Sequence, residues 1–402
     1  MTWRQLQLGQ GIHIKHGFAF KSKYFSDTGE RVVLTPGNFE EEGGFRLRPG
    51  KDRFYDGPMP NGFVLDEGDL IVAMTEQGPG LLGSSALIPE GGEYLHNQRL
   101  GLVDEIDDEL FDKTFLYYLF NTRPVRGQIS GSASGVKVRH TAPERIYRVT
   151  VSVPDKRSQQ RIAEVLRPYD RLMENNRRRM ALLEEAARQL YREWFVHLRF
   201  PGHEHTRITG GVPQGWARKS LGDLCEQVRE SVKPDALEKD TPYIGLEHMP
   251  RRSISLSEWG HAAQVTSSKH RFREGAILFG KIRPYFHKVG VAFVNGICSS
   301  DAIVIRPLNP SLFALVLMTV SSDPFVATTA QTMREGSKMP RADWKQMQEY
   351  RVPLPPKGLL SSFDGQICSV IDQLKTLTFA DHKLRAARDL LLPRLMSGEV
   401  AV

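Results

Sequence analysis

The chain has 402 residues, 25% of them charged and 40% hydrophobic, with a formal net charge of +7 at pH 7. This length exceeds one ordinary hydrophobic core and favours two domains with connectors. The composition is typical of a globular protein and excludes a disordered or fibrous chain. The excess of basic residues favours an anionic partner, most often nucleic acid.

Three isolated cysteines, Cys225, Cys298 and Cys368, argue against a disulfide framework and a zinc ribbon. A reducing cytoplasm is the simplest environment for them. Residues 1–17 contain no apolar run of the kind found in a secretory signal. The apolar run at residues 312–320 is too short to cross a bilayer. We therefore expect a cytoplasmic protein without a membrane partner.

The first region, residues 1–155, predicts a globular domain of short strands and one helix. Apolar runs at residues 31–34, 69–74 and 100–103 are bounded by turn residues and predict strands. Residues 113–122 predict a helix, and residues 147–153 predict a closing strand ended by Pro154.

Residues 156–204 predict a long helix with an apolar stripe. Pro168 predicts a short helix before it and a long one after it. From residue 169 to residue 195, at ~1.5 Å per residue, the long helix would span ~40 Å. The stripe has members three or four positions apart, as in a coiled coil: Leu172, Asn176, Met180, Leu183, Ala187, Leu190 and Trp194.

The second half of the chain repeats this plan. Residues 205–356 predict another domain, in which residues 274–279 are similar to residues 67–72. Residues 357–402 then predict another helix, with a stripe of Ile367, Ile371, Leu374, Leu384, Ala387, Leu391 and Leu395. Either stripe alone is explained by burial against its own domain. Two matching stripes favour pairing of the helices with each other, antiparallel if a pseudo-two-fold axis relates the repeats. Asn176 is then a candidate for fixing the register.

The predicted fold class is therefore α+β, with two repeated α/β-type domains separated by two long helices that pair as an antiparallel coiled coil. Only a few segments are similar between the two domains, so their loops diverge. Two copies of one recognition domain that have different specificities would show this pattern.

Basic residues concentrate in predicted loops of both domains. Lys and Arg release counterions from phosphates, and planar donors such as Arg read base edges. A solvated basic face is the alternative explanation. One cluster comprises Arg123, Arg126, Lys137, Arg139, His140, Arg145 and Arg148, and the other comprises Arg271, Arg273, Lys281, Arg283, Tyr285, His287 and Lys288. The loops at residues 135–140 and 336–341 also match each other in position.

Catalytic motifs are weak in this sequence. Residues 78–83 spell G-x-G-x-x-G after a predicted strand, but Pro79 removes an N–H donor and Pro89 and Gly91 interrupt the helix that a dinucleotide site needs. The run His203, Glu204, His205 lacks a third nearby metal ligand and is better explained as a solvated linker. We therefore assign no catalytic residue and no metal ligand.

The chain resembles the specificity subunit of type I restriction–modification systems. Residues 151–154, 159–166, 170, 176–178 and 182–195 carry the resemblance in the first half, and residues 274–283, 352–355 and 394–398 carry it in the second. Two departures are Pro168 and the stretch at residues 358–362, where a Gln-rich opening is lost.

The resemblance implies that each domain is a target-recognition domain that reads one half of a bipartite double-stranded DNA site. It also implies that the helices set the gap between the half-sites and dock two modification subunits. S-adenosylmethionine, ATP and Mg²⁺ are then expected in the modification and restriction subunits, with no cofactor in this chain. The candidate DNA-binding residues are Lys137, Arg139, His140, Lys281, Arg283, Tyr285, Lys338 and Arg341.

Two other hypotheses remain open at this point. A coiled-coil scaffold without nucleic acid is supported by the helices alone, and a stand-alone enzyme with a nucleotide cofactor by residues 78–83 alone. A steep salt dependence of DNA affinity would argue against the scaffold.

Overall fold

The computed structural model describes residues 3–48, 51–76, 80–89, 93–331 and 340–402. The chain divides into two compact units, one of residues 1–172 with 384–402 and one of residues 173–383. The divisions at residues 172/173 and 383/384 fall inside the two long helices. The predicted boundaries at residues 155, 204 and 356 separate the domains from the long helices, whereas the compact units include parts of those helices. The predicted boundaries therefore stay a prediction.

The first unit contains thirteen strands among its described residues, most of them short. They are β1 (Arg4–Gln7), β2 (Ile12–His16), β3 (Phe25–Ser26), β4 (Arg31–Val33), β5 (Phe54–Tyr55), β6 (Val64–Leu65), β7 (Leu70–Ala73), β8 (Thr75–Glu76), β9 (Ser85–Leu87), β10 (Glu93–Leu95), β11 (Leu100–Ile106), β12 (Arg139–His140) and β13 (Thr150–Val153). A four-stranded sheet has the order β2-β11-β7-β9, and a five-stranded sheet has the order β3-β5-β4-β10-β6. Strands β1 and β13 pair antiparallel, so the first and last strands of the domain close on each other.

Strand β7 is buried on both faces because the four-stranded sheet lies between two cores. Leu70 and Val72 pack in the core that contains the helices, while Ile71 and Ala73 pack in a core shared with residues of β6 and β10. This alternation follows the two-residue period of a strand. The helices are α1 (Lys113–Phe120), α2 (Arg123–Gly131), α3 (Pro143–Tyr147) and the beginning of α4 (Lys156–Tyr191). Asp112 caps α1 by accepting from the Phe115 N–H at 2.9 Å.

The second unit repeats this arrangement. Its strands are β14 (Ile208–Thr209), β15 (Val212–Pro213), β16 (Ala217–Ser220), β17 (Cys225–Val228), β18 (Ser231–Val232), β19 (Pro242–Ile244), β20 (Ser255–Leu256), β21 (Gly260–His261), β22 (Lys269–Phe272), β23 (Ile277–Gly280), β24 (Val289–Ala292), β25 (Gly296–Cys298), β26 (Ala302–Pro307) and β27 (Arg351–Leu354). Two five-stranded sheets have the orders β17-β26-β23-β24-β20 and β18-β22-β25-β19-β21. Strand β23 alternates as β7 does, with Ile277 and Phe279 in one core and Leu278 in the other. Strands β16 and β27 close this domain as β1 and β13 close the first.

The helices of the second unit are α5 (Phe313–Val320), α6 (Asp323–Gln331), α7 (Trp344–Met347) and most of α8 (Lys357–Met396). Within the described residues no single helix is long and apolar enough to span a membrane, although residues 310–320 and 323–331 pass that test jointly as a bent pair. Helix α5 is core of this unit, since Leu315, Val316 and Leu317 are fully buried.

The predicted helix break at Pro168 is wrong, because α4 runs without interruption from Lys156 to Tyr191. Pro168 lies on an exposed face of the helix, where water can satisfy the carbonyl that loses its N–H partner. A π-helical turn, Arg192–Val196, follows α4.

In each unit the segments of α4 and α8 pack antiparallel. In the second unit Trp194 contacts Phe363 with ring centres 5.7 Å apart, while Asn176 Nδ2 donates to Asp381 Oδ1 at 3.0 Å. In the first unit Ile162 and Leu166 share a core with Leu395, while Arg388 Nη1 contacts Asp170 Oδ1 at 3.0 Å. The pairing of Asn176 across the helices agrees with its expected place in the seam.

Only some of the residues predicted to form the helix seam are buried. Trp194, Ile371 and Leu374 are buried, and Leu183, Leu190, Leu384 and Leu391 are half-buried. Leu172 is 49% exposed and does not lie in the seam, because the next residue, Met173, points inward instead.

Candidate nucleic-acid interface

The predicted DNA-binding loop of the first domain forms a short ladder beside the end of β7. Strand β12 pairs with β8, so that Arg139 lies opposite Glu76 and His140 opposite Thr75. The Thr141 N–H donates to the Met74 carbonyl at 3.0 Å. Lys137 and His140 are exposed, and they present a cation and an imidazole at the surface.

Glu76 organises this loop from inside the domain. Its side chain is 3% exposed, and its Oε2 accepts from the backbone N–H groups of Leu81 and Leu82 at 3.1 and 2.9 Å. Arg139 Nη1 lies 3.2 Å from Glu76 Oε1, and the same guanidinium donates to the Ser130 carbonyl. The charge of Arg139 is therefore largely offset by Glu76.

Other arginines of the first basic cluster also serve the loops. Arg126 donates to the carbonyls of Leu82 and Glu41, each at 2.9 Å, and to that of Gly80. Burial lowers the pKa of Arg126 from its ordinary value. Arg145 donates to the Ser132 carbonyl at 2.9 Å. These two side chains hold the loop backbone in place. The charge pattern alone could not show whether they contact the protein backbone or DNA.

The second domain contains the same ladder at the end of β23. Ile282 and Arg341 form an antiparallel bridge, and the Arg283 N–H donates to the Pro340 carbonyl at 2.9 Å. The Ala342 N–H donates to the Lys281 carbonyl at 2.9 Å, as Thr141 does to Met74 in the first domain. The structure therefore brings Lys281, Arg283, Tyr285 and Arg341 together, while Lys338 lies outside the described residues.

These side chains differ in how far their charges are offset. Lys281 Nζ donates to the Ser300 carbonyl at 2.8 Å, and burial lowers its pKa against the opposing effect of Asp301. Arg341 Nη2 lies 3.3 Å from Asp301 Oδ1. Arg283 has no acidic partner among the described residues, and its guanidinium carbon lies 5.8 Å from the Phe286 ring centre. The adjacent Tyr285 is 53% exposed.

An unusual backbone shapes this part of the second domain. Arg283 and His287, with φ of 48° and 53°, flank a tight turn at Pro284–Phe286 in the left-handed region that non-glycine residues rarely adopt. We call residues 283–287 the αL turn. A solvent-exposed aromatic and an arginine that has no acidic partner in the described part of the chain are suited to contacts with bases and phosphates.

The two ladders carry opposite charges at one matched position. When residues 67–72 are aligned with 274–279, Glu76 corresponds to Arg283. The buried carboxylate fixes a loop in the first domain, whereas the guanidinium faces solvent in the second. Sequence reasoning missed Glu76, although its alignment with Arg283 was an available signal.

The remaining candidate sites do not gain support. Gly80 and Gly83 lie in a turn between β8 and β9 where no helix begins, so the described part of residues 78–83 lacks the helix of a dinucleotide site; Gly78 and Pro79 lie outside the described residues. His203–His205 is a short 3-10 turn. Among the described residues no group of three His, Cys, Asp or Glu side chains could hold a metal ion.

Comparison with known proteins agrees with this architecture. The family model of the type I restriction modification DNA specificity domain matches residues 1–185 and 213–386. The MjaIX specificity subunit of Methanocaldococcus jannaschii is 22% identical over 305 residues, which are 72% of this chain and 69% of that protein. The EcoDI specificity subunit of Escherichia coli is 22% identical over 302 residues, 68% of this chain and 65% of that protein.

A solved structure shows the same fold. The type I restriction–modification S subunit from M. genitalium superposes with a TM-score of 0.57 at 14% identity, covering 98% of this chain and 96% of that one. The family model, which matches most of both halves of the chain, identifies it as a DNA-specificity protein. The chain belongs to the type I restriction modification DNA specificity family.

Proposed function

We propose that this chain is the specificity subunit of a type I restriction–modification complex and that each domain reads one half of a bipartite double-stranded DNA site. The observation that carries the proposal is the repeated ladder beside β7 and β23, which exposes Lys137 and His140 in one domain and Arg283 and Tyr285 in the other. One scaffold with different side chains at matched positions suits two different half-sites.

The long helices have a second role in this proposal. They set the gap between the half-sites and dock two modification subunits, and restriction subunits join the complete complex. Helix α4 has 36 residues, which at ~1.5 Å per residue span ~54 Å. One turn of DNA is ~34–36 Å, so this length is compatible with half-sites more than one turn apart.

The chain itself is proposed to be non-catalytic. Adenine methylation would take place in the modification subunits, which would bind S-adenosylmethionine, and translocation with ATP and Mg²⁺ would take place in the restriction subunits. The absence of a catalytic motif in the sequence supports this division of labour.

The test is to co-express the chain with its modification subunit, map the methylated adenines, and measure duplex affinity of the assembled complex over a salt series. A bipartite target is expected. Lys281→Ala with Arg283→Ala should weaken binding. The slope of log affinity against log salt, which is negative, should become shallower by ~0.9 for each phosphate that the variant no longer neutralises.

The matched control is Arg351→Ala with Lys357→Ala, two exposed basic residues on the closing strand and at the start of α8. This control should bind as the wild type does. Equal affinity and slope for the Lys281/Arg283 variant would refute the DNA-binding assignment. Methylation at a continuous target would refute the division between two domains.

A further inference from the structure

The αL turn of the second domain lies beside a third strained residue. Of the four non-glycine residues with positive φ among the described residues, three are Arg252, Arg283 and His287. The Arg252 N–H donates to the His287 carbonyl at 2.9 Å, and the Phe286 N–H donates to the Arg283 carbonyl at 2.8 Å. Left-handed backbone at several adjoining non-glycine residues persists only where surrounding contacts hold it in place.

The His287 side chain supplies one of these contacts. It is 8% exposed, and its Nε2–H donates to the Ser321 carbonyl, at the end of α5, at 2.7 Å. Its Nδ1 lies 3.4 Å from Asp323 Oδ1 at the start of α6. Burial lowers the pKa of His287, with Arg252 and Arg188 acting in the same direction and Asp323 against it. The imidazole therefore anchors the αL turn to the end of α5 through Nε2, while its other nitrogen lies beside the exposed Asp323 carboxylate.

A second set of contacts joins this anchor to α4. Arg252 Nη1 lies 2.8 Å from Asp323 Oδ1, and Arg188 of α4 donates to the Arg252 carbonyl. The buried Glu184 of α4 accepts from Ser253 Oγ at 2.6 Å and from Ser255 Oγ and N–H at 2.7 and 3.1 Å. Glu184 and Arg188 thus fix the segment of residues 252–255 to α4, and the Arg252 N–H joins this segment to the His287 carbonyl.

We propose that His287 is a positioning residue for DNA recognition, and that it and Glu184 hold the αL turn in one fixed place relative to α4. The inference rests on the proposed function, because it concerns how the second domain reads its half-site. Arg283 and Tyr285 would make the DNA contacts. His287 would determine the position of Arg283 and Tyr285. Glu184 would keep that position fixed relative to α4.

Sequence specificity distinguishes a positioning role of His287 from a general contribution to stability. A turn that can shift by about 1 Å still supplies charge, but it no longer matches one base edge better than another. We therefore expect loss of discrimination at the second half-site with much of the phosphate-dependent affinity retained. We also expect tolerance of targets whose gap is one base pair longer or shorter, because the turn is no longer fixed to the spacer helix.

The experiment uses the assembled complex and its mapped target. His287→Gly keeps the left-handed turn accessible while removing the ring, and Glu184→Gln removes the carboxylate charge on α4. Binding is measured on the target, on single-base changes in each half-site, and on targets with altered gaps. Discrimination at the second half-site should fall about tenfold in both variants, while discrimination at the first half-site stays unchanged. His205→Gly, in the exposed linker, is the control.

A third variant keeps the test decisive if His287→Gly fails to assemble. Arg252→Asn tolerates positive φ and removes a side chain that is 65% exposed, so folding should survive while the ion pair with Asp323 is removed. Arg252→Lys, which can restore that ion pair, should recover discrimination. If wild type reads the bipartite target and none of these variants alters discrimination or gap tolerance, the positioning role is wrong and the proposed function stands. If wild type shows no bipartite target, the proposed function itself fails.

Discussion

A buried carboxylate, Glu76, holds together the loop that we propose as the DNA-binding loop of the first domain. It accepts two backbone N–H groups and pairs with Arg139, so one side chain determines both the loop at residues 80–82 and the orientation of β12. In the second domain the matched Arg283 points to solvent, and the neighbouring Asp301 instead restrains Lys281 and Arg341. Each loop is thus organised by an acid, from a different position.

Glu76→Ala should therefore destabilise the protein and alter reading of the first half-site. The change leaves the buried Leu82 N–H and the Arg139 guanidinium without their acceptor, which should lower the free energy of unfolding by roughly 2–3 kcal/mol. Denaturant unfolding measures the loss, and binding to first-half-site variants measures the effect on recognition. Glu67→Ala, an exposed acid in the turn before β7, should change neither. Equal stability of the two variants would contradict the role given to Glu76.

At the scale of elements, the paired helices differ in polarity between the two units at one matched position. In the first unit Asp170 contacts Arg388 at 3.0 Å and accepts from the Tyr118 hydroxyl at 2.6 Å. When the closing strands β13 and β27 are aligned, Asp170 and Arg388 correspond to Ile371 and Ala187 in the second unit, both of them buried. The polar contact therefore specifies pairing of α4 with α8 and opposes pairing of either helix with a copy of itself.

Asp170→Ala should lower the free energy of unfolding by roughly 1–2 kcal/mol, because it leaves the Tyr118 hydroxyl without its acceptor and removes one of the two carboxylates that pair with Arg388. Arg388 still donates to Asp389 at 2.8 Å in this variant. The triple change Tyr118→Phe, Asp170→Ile and Arg388→Ala should recover most of that loss, since it replaces all three groups by apolar ones and leaves Asp389, which is 38% exposed, to solvent. Thermal or denaturant unfolding of both variants checks the pair. If the triple variant is less stable than Asp170→Ala, the stabilisation by the polar contact exceeds the desolvation cost of burying its groups.

Much of this element scale was predictable from the sequence. The strands β4, β7 and β11, the helix α1 and both long helices follow from period and turn signals, because burial imposes those periods directly. Spacing could not decide between the neighbours Leu172 and Met173, since either one continues a three-or-four-residue stripe. It also could not show that Pro168 lies on an exposed face. The sequence offered the positions of Glu76 and His287 but not their roles, because Arg139 and Ser321, with which they pair, lie far from them in sequence.

At the scale of the whole molecule, the helix seam should control assembly with the modification subunit. Leu183 and Leu190 are half-buried and pack against the core that contains Phe363 and Ile371. Leu183→Ala with Leu190→Ala should loosen the pairing of α4 with α8 in the second unit and reduce co-purification of the modification subunit. Leu182→Ala, at a position 71% exposed, is the matched control and should co-purify normally. Wild-type stoichiometry for the double variant would contradict a docking role for the paired helices.

The closing strands have a consequence for inheritance. Because β1 pairs with β13 and β16 pairs with β27, each recognition domain completes its own backbone ladder before the following long helix begins. Genetic recombination with crossovers near these strands could replace one domain and leave the core of the other untouched. A new bipartite target would then arise in a single event by combining an inherited half-site with an imported one, without passing through a series of weakened intermediates.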